Sequence, residues 1–521
     1  MRAALRRPAA PPAPAPWARG WVPVQSGRAW AATAGAAPAH ASVDGTHPLA
    51  EPALSASLRR RADEIDAAFA RIEPLLHAYA RRQFDAGFAE AAAAELADVF
   101  GLALGPDELQ ARWSRPLPLG ALHARCVIGT FCRLVEREFD RSLARLHEGE
   151  SAEALIRRFG FHAIDITPCA DGRLAGVVDY VLRVPPAVVA YRKSYAGAMF
   201  DVEESLRHWE TVELRRWREG RPNPATDPSR FLKIGVYHYS SADPAHEGCA
   251  AHGSDDARAA GALLERLQQF EQAVQATHGE RTATLLVGVD TDTDAIRVHV
   301  PDAAGRMSTG RYVCNLQMYA QTAALAREDA KQAIRAAVAD CAGTATDDAA
   351  TAGMRWLCGY LLKNNLGQVD AVQRQHGGLY ADRGHTERLI VVGDAVDEVQ
   401  LRNLAFQAQM ETVEEGALDL DVGLRILGHR HAPLGLAVPV LVHMGYDERV
   451  AGAQQRAEQR ARRLRAAVEA RHAGPLQRGG LVVHGVVRAH GSARMQAVAP
   501  VPTRGATAGC GCTHSHSETH A

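Results

Sequence analysis

The sequence is 521 residues long and nearly neutral, and these two properties exclude several classes of protein. It carries 59 Lys and Arg against 60 Asp and Glu, so nothing in the composition indicates nucleic acid or a membrane surface as a partner. No apolar run approaches the roughly 20 residues that a membrane-spanning helix needs. The nine cysteines are scattered without a repeating spacing, which favours a reducing compartment over a secreted disulfide scaffold. The length predicts several domains, because single domains cluster at about 100–200 residues.

Residues 1–50 are rich in Ala, Pro and Gly, and we predict a disordered basic segment. Prolines fill the place where an apolar signal sequence would lie, so we do not expect export. Three tryptophans, Trp17, Trp21 and Trp30, stand among arginines in this segment. Tryptophan and arginine are frequent anchors of interfaces, which makes the segment a candidate docking element, with a passive extension as the alternative.

Residues 51–147 are predicted to form a helical domain without catalytic chemistry. Five apolar residues recur at helical steps, namely Leu58, Ile65, Phe69, Ile72 and Leu76. This spacing indicates one buried stripe on a single helix. A second helix is predicted from Val127 to Leu143.

Residues 148–385 are predicted to form an α/β domain that carries the chemistry. Three apolar runs each lead into a polar residue: 161–166 before Cys169, 231–237 before His238 and 284–289 before Asp290. Parallel strands behave in this way at their carboxyl ends, where open α/β sheets bind their ligands. A helix is expected after Cys249, with Ser254 as its N-cap.

The stretch Cys169-Ala170-Asp171-Gly172-Arg173 places a thiol, a carboxylate and a guanidinium at the end of the first strand. Together with His238 and Cys249, Cys169 would supply two thiolates and one imidazole, which bind zinc tetrahedrally and leave its fourth position for a reactive water. We expect Asp171 to accept a hydrogen bond from that water and to shuttle its proton. Arg173 would hold Asp171 by a forked salt bridge and keep the carboxylate turned toward the water.

This five-residue stretch is similar to the Cys-x-Asp-Ser-Arg motif of β-type carbonic anhydrases. In that family an apolar strand ends in His-x-x-Cys-Gly; here 234–238 resembles the strand and Gly248-Cys249-Ala250 the cysteine turn. Ten residues stand between His238 and Cys249 in place of two. This insertion, with Ala251-His252-Gly253, resembles the carboxysome-shell carbonic anhydrases, a divergent branch of the β class.

The resemblance implies a zinc enzyme, with one Zn²⁺ per chain, that interconverts carbon dioxide and bicarbonate. It also implies a place in the carboxysome, a bacterial microcompartment in the cytoplasm, where the enzyme would supply carbon dioxide to Rubisco. The basic N-terminal segment would then tether the chain to Rubisco or to the shell. A homo-oligomer, dimeric or higher, is also expected.

The histidine ligand is not decided by the sequence. His246 satisfies the ordinary His-x-x-Cys spacing to Cys249 by itself. We favour His238, because a residue at the end of an apolar strand is rigidly placed and because the carboxysomal pattern points to it. Two other functions stay open: a zinc hydrolase with a larger pocket, and a non-catalytic shell or scaffold protein whose zinc is closed by a fourth ligand such as His246.

An acidic run and one further histidine are weaker candidates for functional residues. Asp290, Asp292 and Asp294 imitate the start of a calcium loop, but Ala295 and Pro301 stand where an EF-hand requires glycine and glutamate. An EF-hand is therefore excluded. The histidine, His385, precedes an apolar run, and we place it at the edge of the pocket as a polar or proton-transferring group, with a surface histidine as the alternative.

Residues 386–503 are predicted to form a second α/β domain, a degenerate copy of the catalytic one. Its predicted elements are strands near 388–392, 440–443 and 481–487 and a charged helix at 449–472. His443 follows an apolar run as His238 does, but no cysteine lies between Cys358 and Cys510. A second Cys₂His site is therefore impossible, and the copy is expected to replace a second subunit within the chain. Residues 504–521 are expected to be a flexible tail.

Overall fold

The computed structural model describes residues 45–147, 152–185, 188–221, 229–279, 282–343, 349–381, 384–396, 398–410 and 412–499. The basic N-terminal stretch with its three tryptophans and the C-terminal tail lie outside these residues. Among the helices of the described part, none is both long and apolar enough to cross a membrane.

The first part of the described chain is helical, as predicted. Its helices are α1 (Pro52–Ala70), α2 (Ile72–Arg82), α3 (Phe88–Phe100), α4 (Pro106–Leu109), α5 (Leu119–His147) and α6 (Ala152–Arg158). The stripe from Leu58 to Leu76 is buried, but the single helix predicted there is divided into α1 and α2 at Arg71. Pro74 explains the division, because it has no N–H to donate and its ring clashes with the carbonyl of Ala70.

A six-stranded sheet follows, and it contains the three predicted strands. Its strands are β1 (Ala163–Pro168), β2 (Val189–Arg192), β3 (Phe231–Tyr239), β4 (Thr282–Asp290), β5 (Ile296–His299) and β6 (Val313–Cys314). They lie in the order β2-β1-β3-β4-β5-β6; the first four are parallel, β5 is antiparallel to β4, and β6 is antiparallel to β5. The carboxyl ends of β1, β3 and β4 therefore meet at one edge of the sheet.

Helices pack around this sheet. They are α7 (Val202–Arg218), α8 (Asp256–His278), α9 (Asn315–Thr322), α10 (Arg327–Ala342) and α11 (Ala349–His376), with a π-helix at Val177–Leu182 and 3₁₀ turns at Gly172–Leu174, Ala196–Ala198 and Ala250–His252. The predicted cap of α8 is wrong. Asp255, not Ser254, accepts the hydrogen bond from the Arg258 N–H, at 2.9 Å. Ser254 has a φ of 62°, a left-handed conformation outside the extended range that an N-cap normally adopts.

A second, five-stranded sheet occupies the C-terminal part. Its elements are β7 (Leu389–Gly393), β8 (Ala405–Gln409), β9 (Val438–Tyr446), β10 (Leu481–Ala489) and β11 (Gln496–Val498), with α12 (Val413–His431), α13 (Ala453–Arg471), α14 (Ala473–Gln477) and a 3₁₀ turn at Ala432–Leu434. The order β8-β7-β9-β10-β11 repeats the order β2-β1-β3-β4-β5 of the first sheet, including the antiparallel fifth strand. The predicted fold class, two related α/β units preceded by a helical region, is confirmed.

The two sheets meet through their edge strands β2 and β8. Arg192 of β2 donates from Nη2 to Gln407 Oε1 of β8 at 3.0 Å. The Gln409 N–H donates to the Ser194 carbonyl at 3.0 Å, just beyond β2. The chain that follows β1 lies at this junction, because the Gln407 N–H also donates to the Ala170 carbonyl at 3.1 Å.

Candidate metal centre

Three side chains from separate segments meet at the carboxyl edge of the first sheet. Cys169 follows β1, His238 lies near the end of β3, and Cys249 follows the inserted loop. All three are buried, and their ligand atoms lie within 4.8 Å of one another. His238 is fully buried, and its ring nitrogens make no hydrogen bond of good geometry within the protein, although Nε2 lies 3.3 Å from Oδ2 of Asp171. A buried imidazole without well-formed hydrogen bonds is costly, so these atoms indicate a site for a ligand that the protein itself does not supply.

The donor set and its spacing fit a zinc ion. The two sulfur atoms of Cys169 and Cys249 are 4.0 Å apart. Two Zn–S bonds of about 2.3 Å at a tetrahedral angle would place them about 3.8 Å apart. The hydrogen bond between the thiols lowers the pKa of Cys249 and raises that of Cys169. The thiolate, the form that binds metal, therefore forms more readily on Cys249 than on Cys169.

His246 lies outside this cluster. Its side chain is 79% exposed, and its Nδ1 is 2.9 Å from the Asp243 carboxylate on the same loop. Of the two candidate histidines, the structure thus brings His238 and not His246 to the two cysteines.

Asp171 and Arg173 form the predicted forked pair beside the cluster. Arg173 donates from Nε to Oδ1 of Asp171 at 3.0 Å and from Nη2 to Oδ2 at 2.8 Å. Burial alone would raise the pKa of Asp171, but Arg173, His385 and His238 together outweigh burial and hold this pKa well below its usual value. Oδ2 lies 3.3 Å from Nε2 of His238, so an ionised carboxylate faces the candidate metal position.

The acidic run that imitates a calcium loop holds the insertion between His238 and Cys249. Asp290 accepts from the Ser241 backbone N–H at 3.1 Å and from its hydroxyl at 2.7 Å. Asp292 accepts from the Ser240 hydroxyl at 2.7 Å and from the Ala242 N–H at 2.8 Å. The carboxylates are thus occupied by the loop that carries Cys249, and the end of β4 fixes that loop against β3.

His385 lies in the site and not on the surface. Its Nδ1 is 3.4 Å from Oδ2 of Asp171, and its Nε2 is 3.4 Å from Nη2 of Arg173. The neighbouring Glu387, which sequence reasoning missed, accepts from the Gly172 N–H at 3.0 Å and lies 3.2 Å from Nδ1 of His385. Both residues belong to the segment that leads into β7, and the only sequence signal for Glu387 was a charged residue close before an apolar run.

The second sheet does not repeat the ligand set. The N–H of Cys169 donates to the Val236 carbonyl, and in the same way the N–H of Asp394 donates to the carbonyl of His443. Asp394 therefore occupies the position of Cys169. His238 lies two residues after Val236 on β3, and Gly445 lies two residues after His443 on β9. The counterpart of His238 is therefore Gly445 and not His443, which corrects the prediction made from the apolar run.

Comparisons with known proteins agree with this geometry. Family models for the N-terminal, catalytic and C-terminal parts of the carboxysome shell carbonic anhydrases match residues 47–139, 151–385 and 386–501. Among similar proteins, the carboxysome shell carbonic anhydrase of Halothiobacillus neapolitanus is 41% identical over 433 residues, which cover 82% of this chain and 84% of the relative.

Two further relatives carry the same name. The protein of Hydrogenovibrio crunogenus is 39% identical over 82% of this chain and 82% of its own length. That of Parasynechococcus marenigrum is 41% identical over 82% of this chain and 74% of its own length. With the family models covering most of the sequence, the chain belongs to the carboxysome shell carbonic anhydrase family, and its enzyme class is carbonic anhydrase.

Proposed function

We propose that Cys169, His238 and Cys249 bind one Zn²⁺ per chain, and that Asp171 and Arg173 serve the interconversion of carbon dioxide and bicarbonate at this ion. The observation that carries the proposal is the buried Cys₂His cluster, whose imidazole makes no well-formed hydrogen bond within the protein, next to a carboxylate held by a fork. When bound, zinc supplies Lewis-acid activation of a water molecule.

The chain's own residues orient that water and take its proton. Asp171 remains ionised because of Arg173, so it can accept a hydrogen bond at the open side of the cluster. The fork to Arg173 engages both carboxylate oxygens and prevents the side chain from rotating onto the metal. His385 is the titratable group next to Asp171, with Nδ1 3.4 Å from its Oδ2. Burial lowers its pKa, but Asp171 and Glu387 outweigh burial and raise the pKa above its usual value.

The position of His246 supports an enzyme over a zinc-stabilised scaffold. A structural zinc site is closed by four protein ligands. Because His246 is exposed and bound to Asp243, it leaves the fourth position open to water. A zinc hydrolase would need the same metal and a larger pocket, and no contact of the described residues favours it.

The relatives are named as carboxysome shell proteins, and we place this chain in the carboxysome, within the bacterial cytoplasm. Carbon dioxide and bicarbonate are its substrates there, and dehydration of bicarbonate would supply carbon dioxide to Rubisco. We further propose that residues 1–50 dock to Rubisco or to the shell, and that the chain forms a homo-oligomer.

Zinc content and stopped-flow carbon dioxide hydration of purified variants test the metal site. His238→Ala is expected to lose zinc and activity together, whereas His246→Ala keeps both. Asp171→Ala is expected to retain zinc and to lose activity about 100-fold or more, as general acid–base groups typically do. Full zinc occupancy in His238→Ala would refute the ligand set. Equal activity of the wild type and Asp171→Ala would refute the role of the carboxylate.

A further inference from the structure

The catalytic stretch, residues 169–173, has a backbone that is hydrogen-bonded by residues of the second half of the chain. The Ala170 carbonyl accepts from the Gln407 N–H at 3.1 Å, and the Gly172 carbonyl accepts from the Asn403 N–H at 2.7 Å. On the same residue, the Gly172 N–H donates to Oε1 of Glu387 at 3.0 Å. Both peptides that flank Asp171 therefore depend on groups outside the first sheet. Glu387 is the one among these groups that acts through its side chain.

Gly172 and Glu387 fit each other closely. A Cβ atom added to Gly172 would lie 2.1 Å from Cγ of Glu387, far inside van der Waals contact. The β-type motif has serine at this place, and Glu387 excludes serine here. Glu387 is 1% exposed, so it cannot move aside into solvent. The close approach of the two residues is what lets the carboxylate reach the Gly172 N–H.

Glu387 also fixes the ring of His385. Oε1 of Glu387 accepts from the Gly172 N–H and also faces Nδ1 of His385, so Nδ1 is the donor to this oxygen and carries the proton. A guanidinium only donates, so Nε2, which faces Arg173, must be the acceptor. The two neighbours select the same tautomer of the neutral ring. The backbone carbonyl of His385 is held as well, by Arg430 of α12.

We propose that Glu387 is a positioning residue of the active site, which holds the Gly172 peptide and the His385 ring and thereby fixes Asp171 and Arg173 against the metal position. It acts through these groups and does not itself contact the metal ligands. The role rests on the proposed metal site, and it adds a residue of the second half to the machinery of the first.

Glu387→Ala and Glu387→Gln in the full chain test this role. The amide carbonyl of glutamine can accept the same two hydrogen bonds, whereas alanine can accept neither. We expect Glu387→Ala to bind zinc normally and to lose kcat per bound zinc about 10- to 100-fold, the usual effect of removing such a supporting contact. KM should change little, and Glu387→Gln should stay within about threefold of the wild type, since its geometry is preserved.

Glu138→Gln is the matched control. Glu138 is fully buried on α5 and accepts from Nε of Arg61 at 3.2 Å, so its loss should lower the melting temperature without changing kcat per bound zinc. A purely structural role for Glu387 predicts the same behaviour in Glu387→Ala and would overturn the proposal. An equal loss of kcat in Glu387→Gln and Glu387→Ala would overturn it too. If Glu387→Ala does not fold, Glu387→Asp replaces it, because its shorter carboxylate cannot reach both partners.

The contact with Gly172 gives an independent test. Gly172→Ala alone should lower kcat more than about tenfold, but in the Glu387→Ala background it should cost less than about threefold, because residues in contact are not additive. Equal losses in both backgrounds would contradict the proposal. A wild-type protein without carbon dioxide hydration would instead refute the proposed function, so the two failures are distinguishable.

Discussion

At the scale of single residues, Arg173 determines what Asp171 can do. The guanidinium is 1% exposed, and besides the fork it donates from Nη1 to the Glu247 carbonyl at 2.6 Å and to the Thr291 hydroxyl at 3.3 Å. Its position is therefore fixed from the inserted loop and from the end of β4. These contacts require a planar group with several donors in fixed directions. The ammonium group of a lysine cannot provide them.

We expect Arg173→Lys to retain zinc and to lose carbon dioxide hydration about 10- to 100-fold. Lysine keeps the positive charge but not the forked hydrogen bonds, which also lower the pKa of Asp171, so this pKa should rise and Asp171 should become protonated at a higher pH. The acid limb of the activity profile should therefore move to higher pH in the variant. Stopped-flow measurements across pH check both effects.

Arg216→Lys is the control, since Arg216 is also a buried arginine but donates to the Ser229 hydroxyl, at 2.8 Å. It should leave the pH profile unchanged. An unshifted acid limb in Arg173→Lys would contradict the role of the fork.

Prediction of single residues from the sequence succeeded where the residues stand in one local pattern. Asp171 and Arg173 are two positions apart, and the structure shows their fork as expected. His238 was chosen over His246 because it lies at the end of a strand. The His-x-x-Cys spacing alone would have favoured His246. Glu387 was missed because its partner, the Gly172 N–H, lies 215 residues away, and a backbone group has no sequence signature.

At the scale of elements, the loop between β3 and Cys249 is stabilised by the turn after β4. Asp290 and Asp292 bind serine hydroxyls and backbone N–H groups of the insertion. Three aspartates at alternate positions could be read as cation ligands, but two of them hold the loop, and the third, Asp294, accepts from Gln368 and Tyr380. The insertion therefore keeps Cys249 in place although it is longer than in ordinary β-type enzymes.

Removing one of these contacts should loosen the metal without destroying the fold. We expect Asp292→Ala to release zinc to a chelator about 10- to 100-fold faster than the wild type, because the segment that carries Cys249 loses two hydrogen bonds. Chelator competition monitored by absorbance measures this rate. Asp302→Ala is the control, since Asp302 binds only the neighbouring Ala304 and Arg306 and the nearby Arg311. Identical release rates in the two variants would contradict the role of the loop.

Elements were predictable where large apolar residues dominate a run of the sequence. The strands β1, β3, β4, β7, β9 and β10 all arise from such runs, even where Asp165 or Lys233 interrupts them. The strand β8 was missed, because Gln407 and Gln409 interrupt its apolar character although all five of its residues are buried. Both glutamines take part in the contact with the first sheet, which only the assembled structure reveals.

At the scale of the whole molecule, two α/β units have the same strand connectivity, but the described residues of the second unit do not repeat the Cys₂His cluster of the first. The repeat of strand order could be expected from the family resemblance, but the positions of Asp394 and Gly445 could not. An apolar run followed by histidine suggested His443, whereas the register places it two residues before the counterpart of His238. Register depends on strand pairing, which a single sequence does not specify.

The N-terminal segment, which lies outside the described residues, is proposed to act in localisation and not in catalysis. Deleting residues 1–45 should abolish co-purification with carboxysomes and leave the specific activity unchanged, because the site residues all lie beyond position 168. Fractionation of carboxysomes from cells that express the truncated chain measures the first effect, and stopped-flow assays measure the second. The full-length chain is the control, and undiminished packaging of the truncated chain would refute the tether.

The edge contact between β8 and the catalytic stretch has a genetic consequence. Substitutions that displace the backbone around Asn403 or Gln407 are expected to inactivate the enzyme, as changes at Cys169 or Cys249 are, although neither residue belongs to the segment that carries the proposed metal ligands. A screen for loss of function should therefore yield alleles in both halves of the gene. The two halves cannot complement each other's site defects, because the second half has lost the ligands that would make it an independent enzyme.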